Sequence, residues 1–259
     1  MCQLLGMNAN TPTDVMFSFT GFATRAEEHK DGFGIAFFEG AGVRLFVDAQ
    51  SARVSPVAEI VRRFPIRSDN IVAHIRKATQ GRVALENTHP FQRELWGRYW
   101  VFAHNGDLKD FRPRLHSHFR PVGDTDSEHA FCWLMQELSK AHAGVPAVEE
   151  LSNTLSELLP RLHRHGTFNM LLSNGQALWA HCSTHLHYVV REHPFGAPVL
   201  ADKDLLVDFA PHTGPGDRVA IVATEPLTRN EPWQAMAAGQ LMTFTCGQVA
   251  TRQCPELAR

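Results

Sequence analysis

A cysteine directly follows the initiator methionine, and Cys2 is the residue whose position points first to chemistry. Covalent cleavage of an amide needs a nucleophile, plus a group that takes its proton and hands it to the departing amine. An N-terminal cysteine carries both. Its thiol has a reference pKa of about 8.5 and a free α-amino group about 7.7–8.0, so near neutral pH the amine can act as base for the thiol. Methionine before a small side chain is the context in which the initiator is trimmed, so this beginning permits Cys2 to become the first residue. Taken alone, Cys2 is better explained as a small buried hydrophobe at the start of a strand.

Three later segments add the groups that an amide of glutamate would need. The run His74-Ile75-Arg76-Lys77-Ala78-Thr79-Gln80-Gly81 takes a strand into an arginine, whose guanidinium can hold a carboxylate through two parallel hydrogen bonds. In Phe102-Ala103-His104-Asn105-Gly106 a strand ends on Asn105 and Gly106. A side-chain amide beside a closely approachable backbone N–H is the chemistry of an oxyanion hole. Asp126, in Thr125-Asp126-Ser127-Glu128, opens a helix and can receive an ammonium group. Each has an ordinary role on its own: a strand end in solvent, a common turn pair, a carboxylate serving the helix dipole. Together with Cys2 they describe a ligand bearing one carboxylate, one ammonium and one cleavable amide.

The elements that must position these groups are legible from patterning. Residues 2–8 read as a buried strand followed by turn residues, and a short helix is expected near 14–26. Residues 32–38 and 43–47 read as a hairpin closed at Glu39-Gly40-Ala41-Gly42, hence antiparallel. Helical spacing covers 55–64, and 70–74 and 99–103 are strand-like. Phe131, Leu134, Met135 and Leu138 form an apolar stripe behind a Thr125 to Glu128 capping box, and Val148, Leu151, Leu155, Leu158 and Leu162 form another, with Gly166 as its expected stop. Strand patterns then recur at 167–172, 177–181, 186–190, 205–209, 219–223 and 241–246. Strands, paired helices and strands again imply α+β architecture with helices layered on antiparallel sheets. No repeat, low-complexity tract or linker divides residues 1–259, so a single domain is expected.

Composition excludes several classes of function. With 25 Lys plus Arg against 27 Asp plus Glu, the formal charge of -2 supplies no electrostatic attraction for nucleic acid or an anionic membrane. No signal peptide or apolar span is legible, and five scattered cysteines without a C-x-x-C pair fit reduced thiols better than a disulfide framework or zinc knuckle. A cytoplasmic protein with no cofactor is expected. The histidine-rich runs His163-Arg164-His165 and 181–187 raise the alternative of a metal-binding protein, but neither spacing completes a ligand set, and no metal site is assigned.

The motifs together resemble the class II, N-terminal-nucleophile glutamine amidotransferases, in particular their stand-alone, YafJ-like members. The resemblance runs through Met1-Cys2, Asp31-Gly32-Phe33-Gly34-Ile35-Ala36, Arg76-Lys77-Ala78-Thr79, Asn87-Thr88-His89-Pro90-Phe91, His104-Asn105-Gly106, Thr125-Asp126-Ser127-Glu128, Ala223-Thr224-Glu225-Pro226-Leu227 and Trp233. It implies a four-layer αββα sandwich with Cys2 as nucleophile, Arg76 on the substrate α-carboxylate and Asp126 on its α-amino group. It further implies Asn105 and Gly106 as the oxyanion hole, with Thr79 and His89 shaping the pocket. The implied substrate is glutamine or a γ-glutamyl small molecule, with an ammonia-accepting synthase subunit as a further partner. Glucosamine-synthase-like relatives carry Trp and His where this chain has Lys77 and Gln80, and no segment is left over for a synthase domain. A non-catalytic relative that binds a metabolite through the same fold is the competing reading.

Overall fold

Alternate residues of a strand face opposite sides of its sheet, and along β1 (Gln3–Asp14) both sides are apolar. Leu5, Met7 and Ala9 enter one buried cluster while Leu4 enters another. A strand covered on both faces belongs inside a layered fold, and β1 lies at the centre of a seven-stranded sheet. The computed structural model describes residues 2–25, 31–64, 66–77, 82–116, 118–203, 205–209 and 213–253. After β1 come α1 (Met16–Thr24), β2 (Phe33–Glu39), β3 (Gly42–Asp48), α2 (Pro56–Arg63), β4 (Arg67–Ile75), β5 (Phe91–Leu95) and β6 (Arg98–Leu108). They are followed by α3 (Asp126–Ala141), α4 (Val148–His163), β7 (Gly166–Ser173), β8 (Leu178–His181), β9 (His187–Glu192), β10 (Arg218–Ala223), β11 (Gln234–Ala235), β12 (Leu241–Thr245) and β13 (Gln248–Gln253).

The first sheet has the order β11-β9-β10-β1-β4-β2-β3 and the second β13-β12-β8-β7-β6-β5, with antiparallel pairing throughout the named strands. Three apolar cores separate four layers. Phe19 and Phe22 of α1 and Ala58 and Val61 of α2 pack on the outer face of the first sheet. Leu4, Ala36 and Val72 meet Val101, Ala103 and Leu171 between the sheets. Phe131, Leu134, Leu155 and Leu159 of α3 and α4 cover Trp100, Phe102 and Phe168 of the second sheet. The result is the expected α+β, αββα sandwich. Gly6 lets the sheets approach, since a Cβ there would lie 2.9 Å from Leu178 Cδ2.

Local differences from the sequence reading have physical causes. The capping box of α3 is half formed: Thr125 Oγ1 accepts from Glu128 N at 3.3 Å, but the Glu128 carboxylate turns to Val122 N at 3.0 Å and Gly123 N at 2.7 Å and pairs with Arg93. Gly166 is the first residue of β7 rather than a helix stop. Its φ is +144° and a Cβ would lie 2.1 Å from Asp107 O, so close strand approach sets that glycine. Residues 205–209 form no extended strand. Among the described residues Leu206 makes an isolated bridge to Val199, and Leu205 and Leu206 are exposed, while Phe209 packs on the core beside Phe17 and Phe195 without a paired neighbouring strand. Conversely β1 runs on to Asp14 across a register shift between Asn8 and Thr13, because β4 offers Ser68 and Arg67 as partners to its polar end. The short or half-exposed strands β5, β11 and β13 lack an apolar run that would have announced them.

Candidate active site

Strand parity gathers the candidate residues. Leu4, Val72, Val101 and Ala103 point into the core between the sheets, so Cys2, Arg76 and Asn105, each an even number of residues away, stand on that same side. Antiparallel register brings the start of β1 to the end of β4, with Gln3 opposite Ile75, while β6 delivers Asn105 from the second sheet. The two sheets touch here: Asn105 Nδ2 donates to Cys2 O at 2.7 Å.

The Cys2 thiol is bracketed by one residue. Lys77 N donates to Sγ and the thiol donates to Lys77 O, each at 3.2 Å. Burial raises the thiol pKa above its ordinary value, against the lowering pull of the Lys77 hydrogen bond and the nearby Arg76 charge. A thiol so desolvated is protonated at neutral pH and needs a base to become a nucleophile. On its other side the start of β1 is held by Thr224, whose Oγ1 accepts from Leu4 N at 2.9 Å. Arg25, at the end of α1, adds bonds to Gln3 Oε1 (3.1 Å), Glu225 O (3.1 Å) and Pro226 O (2.6 Å).

Arg76 is buried at the end of β4. Its backbone N–H bonds Gly32 O at 2.8 Å, and Nη1 donates to Arg82 O at 3.0 Å. Asn87 shares that carbonyl at 3.1 Å and is locked to Asp124, donating to Oδ1 at 2.6 Å and accepting from Asp124 N at 3.0 Å. The loop around Arg76 is thereby tied to the segment that leads into α3. Asp126, first residue of α3, accepts from Leu108 N at 2.8 Å and so closes the end of β6. Gly106 is dictated by space, since a Cβ would sit 1.9 Å from Thr167 O.

His89 forms no hydrogen bond to Cys2 through its ring. It precedes a cis Pro90, and its ring lies 4.4 Å from those of His74 and Phe91. Both of its ring nitrogens are buried without a hydrogen-bond partner among the described residues. Burial, then the neighbouring His74, hold its pKa well below the usual histidine range, so it packs as a neutral ring. Gly34 permits this packing, because a Cβ would lie 2.4 Å from His89 O. Thr79 lies outside the described residues.

Patterning missed two residues. His104 faces α3: Nε2 donates to Thr167 O at 3.1 Å, which leaves Nδ1 to accept from Ser127 Oγ at 2.8 Å. Burial lowers its pKa, against the raising effect of Asp126, and the neutral ring links β6 to the start of α3. Asn169 of β7 stands opposite Asn105 and bonds its carbonyl at 3.0 Å. The available signal was a lone amide inside the apolar run Phe168-Asn169-Met170-Leu171-Leu172. In the histidine-rich runs His165 Nδ1 donates to Lys109 O at 3.0 Å, His181 Nδ1 to Phe168 O at 2.7 Å and His187 Nδ1 to Thr224 O at 3.0 Å.

The family model for class-II glutamine amidotransferases matches residues 1–259. The chain belongs to the class II glutamine amidotransferases. Two relatives, both provisionally named glutamine amidotransferases, come from Haemophilus influenzae (52% identical, spanning 96% of this chain and 85% of the relative) and Escherichia coli, the latter YafJ (49%, 96% and 99%). Among solved structures, a Pseudomonas aeruginosa protein described as a predicted glutamine amidotransferase superposes with a TM-score of 0.78 at 41% identity, over 96% of this chain and 100% of that one. Glutamine phosphoribosylpyrophosphate amidotransferase of Bacillus subtilis reaches a TM-score of 0.59 at 13% identity, over 99% of this chain and 50% of that one, a likeness of fold alone. The amidotransferase therefore has the sandwich of the N-terminal nucleophile hydrolases. Among its described residues no helix is long and apolar enough to cross a membrane.

Proposed function

We propose that this amidotransferase hydrolyses a γ-glutamyl amide through Cys2, exposed as the first residue by removal of Met1. The α-amino group of Cys2 takes the thiol proton, and Sγ attacks the side-chain carbonyl carbon of the substrate. Asn105 Nδ2 and the Gly106 N–H receive the oxyanion. The protonated amine passes its proton to departing ammonia or amine, and water then attacks the thioester to release glutamate and restore the thiol. Arg76 holds the α-carboxylate and Asp126 the α-ammonium, while Thr79 and His89 shape the pocket. The observation that carries this reading is the Asn105 Nδ2 to Cys2 O contact at 2.7 Å, which sets an amide donor beside the thiol residue across the sheet interface. Asn105 Nδ2 bears two hydrogens, so that contact leaves a second to offer an oxyanion.

Glutamine, with ammonia passed to a synthase subunit, and a γ-glutamyl conjugate hydrolysed for its own sake require the same chemistry. Rates on glutamine and a panel of γ-glutamyl amides, measured with protein whose mass shows Met1 removed, divide these substrates. An electrophilic glutamine analogue should add one covalent equivalent to the wild type and none to Cys2→Ala. Negligible rates across the panel, or full activity with Met1 retained, would rule the mechanism out.

A further inference from the structure

Asn169 is fully buried in β7 between apolar neighbours, and a buried amide is costly unless its hydrogen-bonding groups are used. Asn169 uses them four times. Nδ2 donates to Asn105 O at 3.0 Å and to Thr184 Oγ1 at 2.9 Å, while Oδ1 accepts from Ser183 N at 2.9 Å and Thr184 N at 3.0 Å. The amide orientation follows from its partners: Asn105 O can only accept, and the two backbone N–H groups can only donate.

The Asn105 carbonyl belongs to the same peptide unit as the Gly106 N–H. A trans, planar peptide points those two groups in opposite directions, so a donor that fixes the carbonyl also fixes the aim of the N–H. β5 pairs with β6 only from Arg98 to Phe102, so at Asn105 the strand is paired only on its β7 side among the described residues. Gly106, without a side chain, adds no packing of its own.

We infer that Asn169 is a positioning residue of the oxyanion site, orienting the Asn105–Gly106 peptide and tying it to the turn at Ser183 and Thr184 after β8. This role rests on the γ-glutamyl hydrolysis proposed above. Asn169→Asp keeps the Oδ1 acceptor but sets a carboxylate oxygen against Asn105 O. Its kcat on a γ-glutamyl amide should fall about 10- to 100-fold, since small displacements of an oxyanion donor are costly. KM should stay within about threefold, because substrate binding groups are untouched. Alkylation of Cys2 by iodoacetamide, a displacement that forms no oxyanion, should stay within about twofold of wild type. Thr184→Val, which leaves the Asn105 contact in place, should retain kcat within about threefold. Asn169→Ser, which abandons that contact without adding charge, carries the same expectation as Asn169→Asp should the latter fail to fold. Unchanged kcat in the folded Asn169 variant would overturn the role while leaving the hydrolase intact. So would a loss matched by equal loss of alkylation, the mark of a generally disordered site. A wild type that hydrolyses no γ-glutamyl amide overturns the hydrolase and this role together.

Discussion

At the scale of single residues, the site is governed by what each position can physically hold. Gly106→Ala would place a methyl 1.9 Å from Thr167 O, a backbone atom that cannot swing aside. The expected result is a loss of about 2 kcal/mol or more in urea unfolding, in the upper range for overpacking, together with loss of turnover. Arg76→Lys keeps the charge but removes the fork that matches a carboxylate. Under the proposed role KM should rise about 10-fold or more with kcat changed less, the pattern of lost ground-state binding. Steady-state kinetics on a γ-glutamyl amide check this, and an unaltered KM would take Arg76 away from the substrate carboxylate.

At the scale of elements, the start of α3 does two jobs under the proposed mechanism, and mutations can separate them. Thr125 caps the helix through Glu128 N, so Thr125→Ala should cost about 1 kcal/mol of stability, as lost N-caps do, with KM unchanged. Asp126 closes β6 through Leu108 N at 2.8 Å, a bond that Asn can still accept. Asp126→Asn should therefore leave the unfolding midpoint nearly unchanged, yet under the proposed role raise KM severalfold by removing the charge that would face the substrate ammonium. If the two variants exchange these signatures, Asp126 is a structural residue and Thr125 the one felt by substrate.

At the scale of the whole molecule, the cores hold neutral histidines. His89, His104 and His181 are buried, and burial lowers the pKa of each, that of His181 to about 4. Unfolding returns each ring to an ordinary value near 6.5. Between that value and the lower folded one, the unfolded chain binds more protons, so stability rises with pH. Above about pH 7 these rings contribute no pH dependence. As pH falls from about 6.5 toward 4, stability is lost, on the order of 3 kcal/mol for His181 alone from its shift. Urea midpoints measured from pH 7.5 down to 4.5 should show this decline. His181→Asn, which gains no proton, should flatten it, and a parallel decline in that variant would place the acid sensitivity elsewhere.

Sequence alone determined the features that depend on local periodicity and on one residue's place in the chain. The two amphipathic stripes of α3 and α4, the Gly40-Ala41 hairpin and the central strands were all visible as patterns. So was a cysteine directly following the first methionine. The motif residues Arg76 and Asp126 stand at element ends as expected, whereas the strand expected to end on Asn105 and Gly106 runs past them to Leu108, because β7 continues to pair with β6 there. Tertiary structure decided what depends on juxtaposition. It set Lys77's backbone around the Cys2 sulfur, Asn105 against Cys2 O, and Asn169 behind Asn105, over sequence separations of 75, 103 and 64 residues. Such contacts follow from sheet register and from the layering of two sheets, neither of which leaves a local signature. For the same reason Glu128 left its expected capping box for Arg93 and the 122–123 backbone, and Gly166 served a close strand approach instead of ending a helix. A side chain's final partners are chosen by whatever the fold brings within hydrogen-bonding distance, and that choice is made only once the layers have packed.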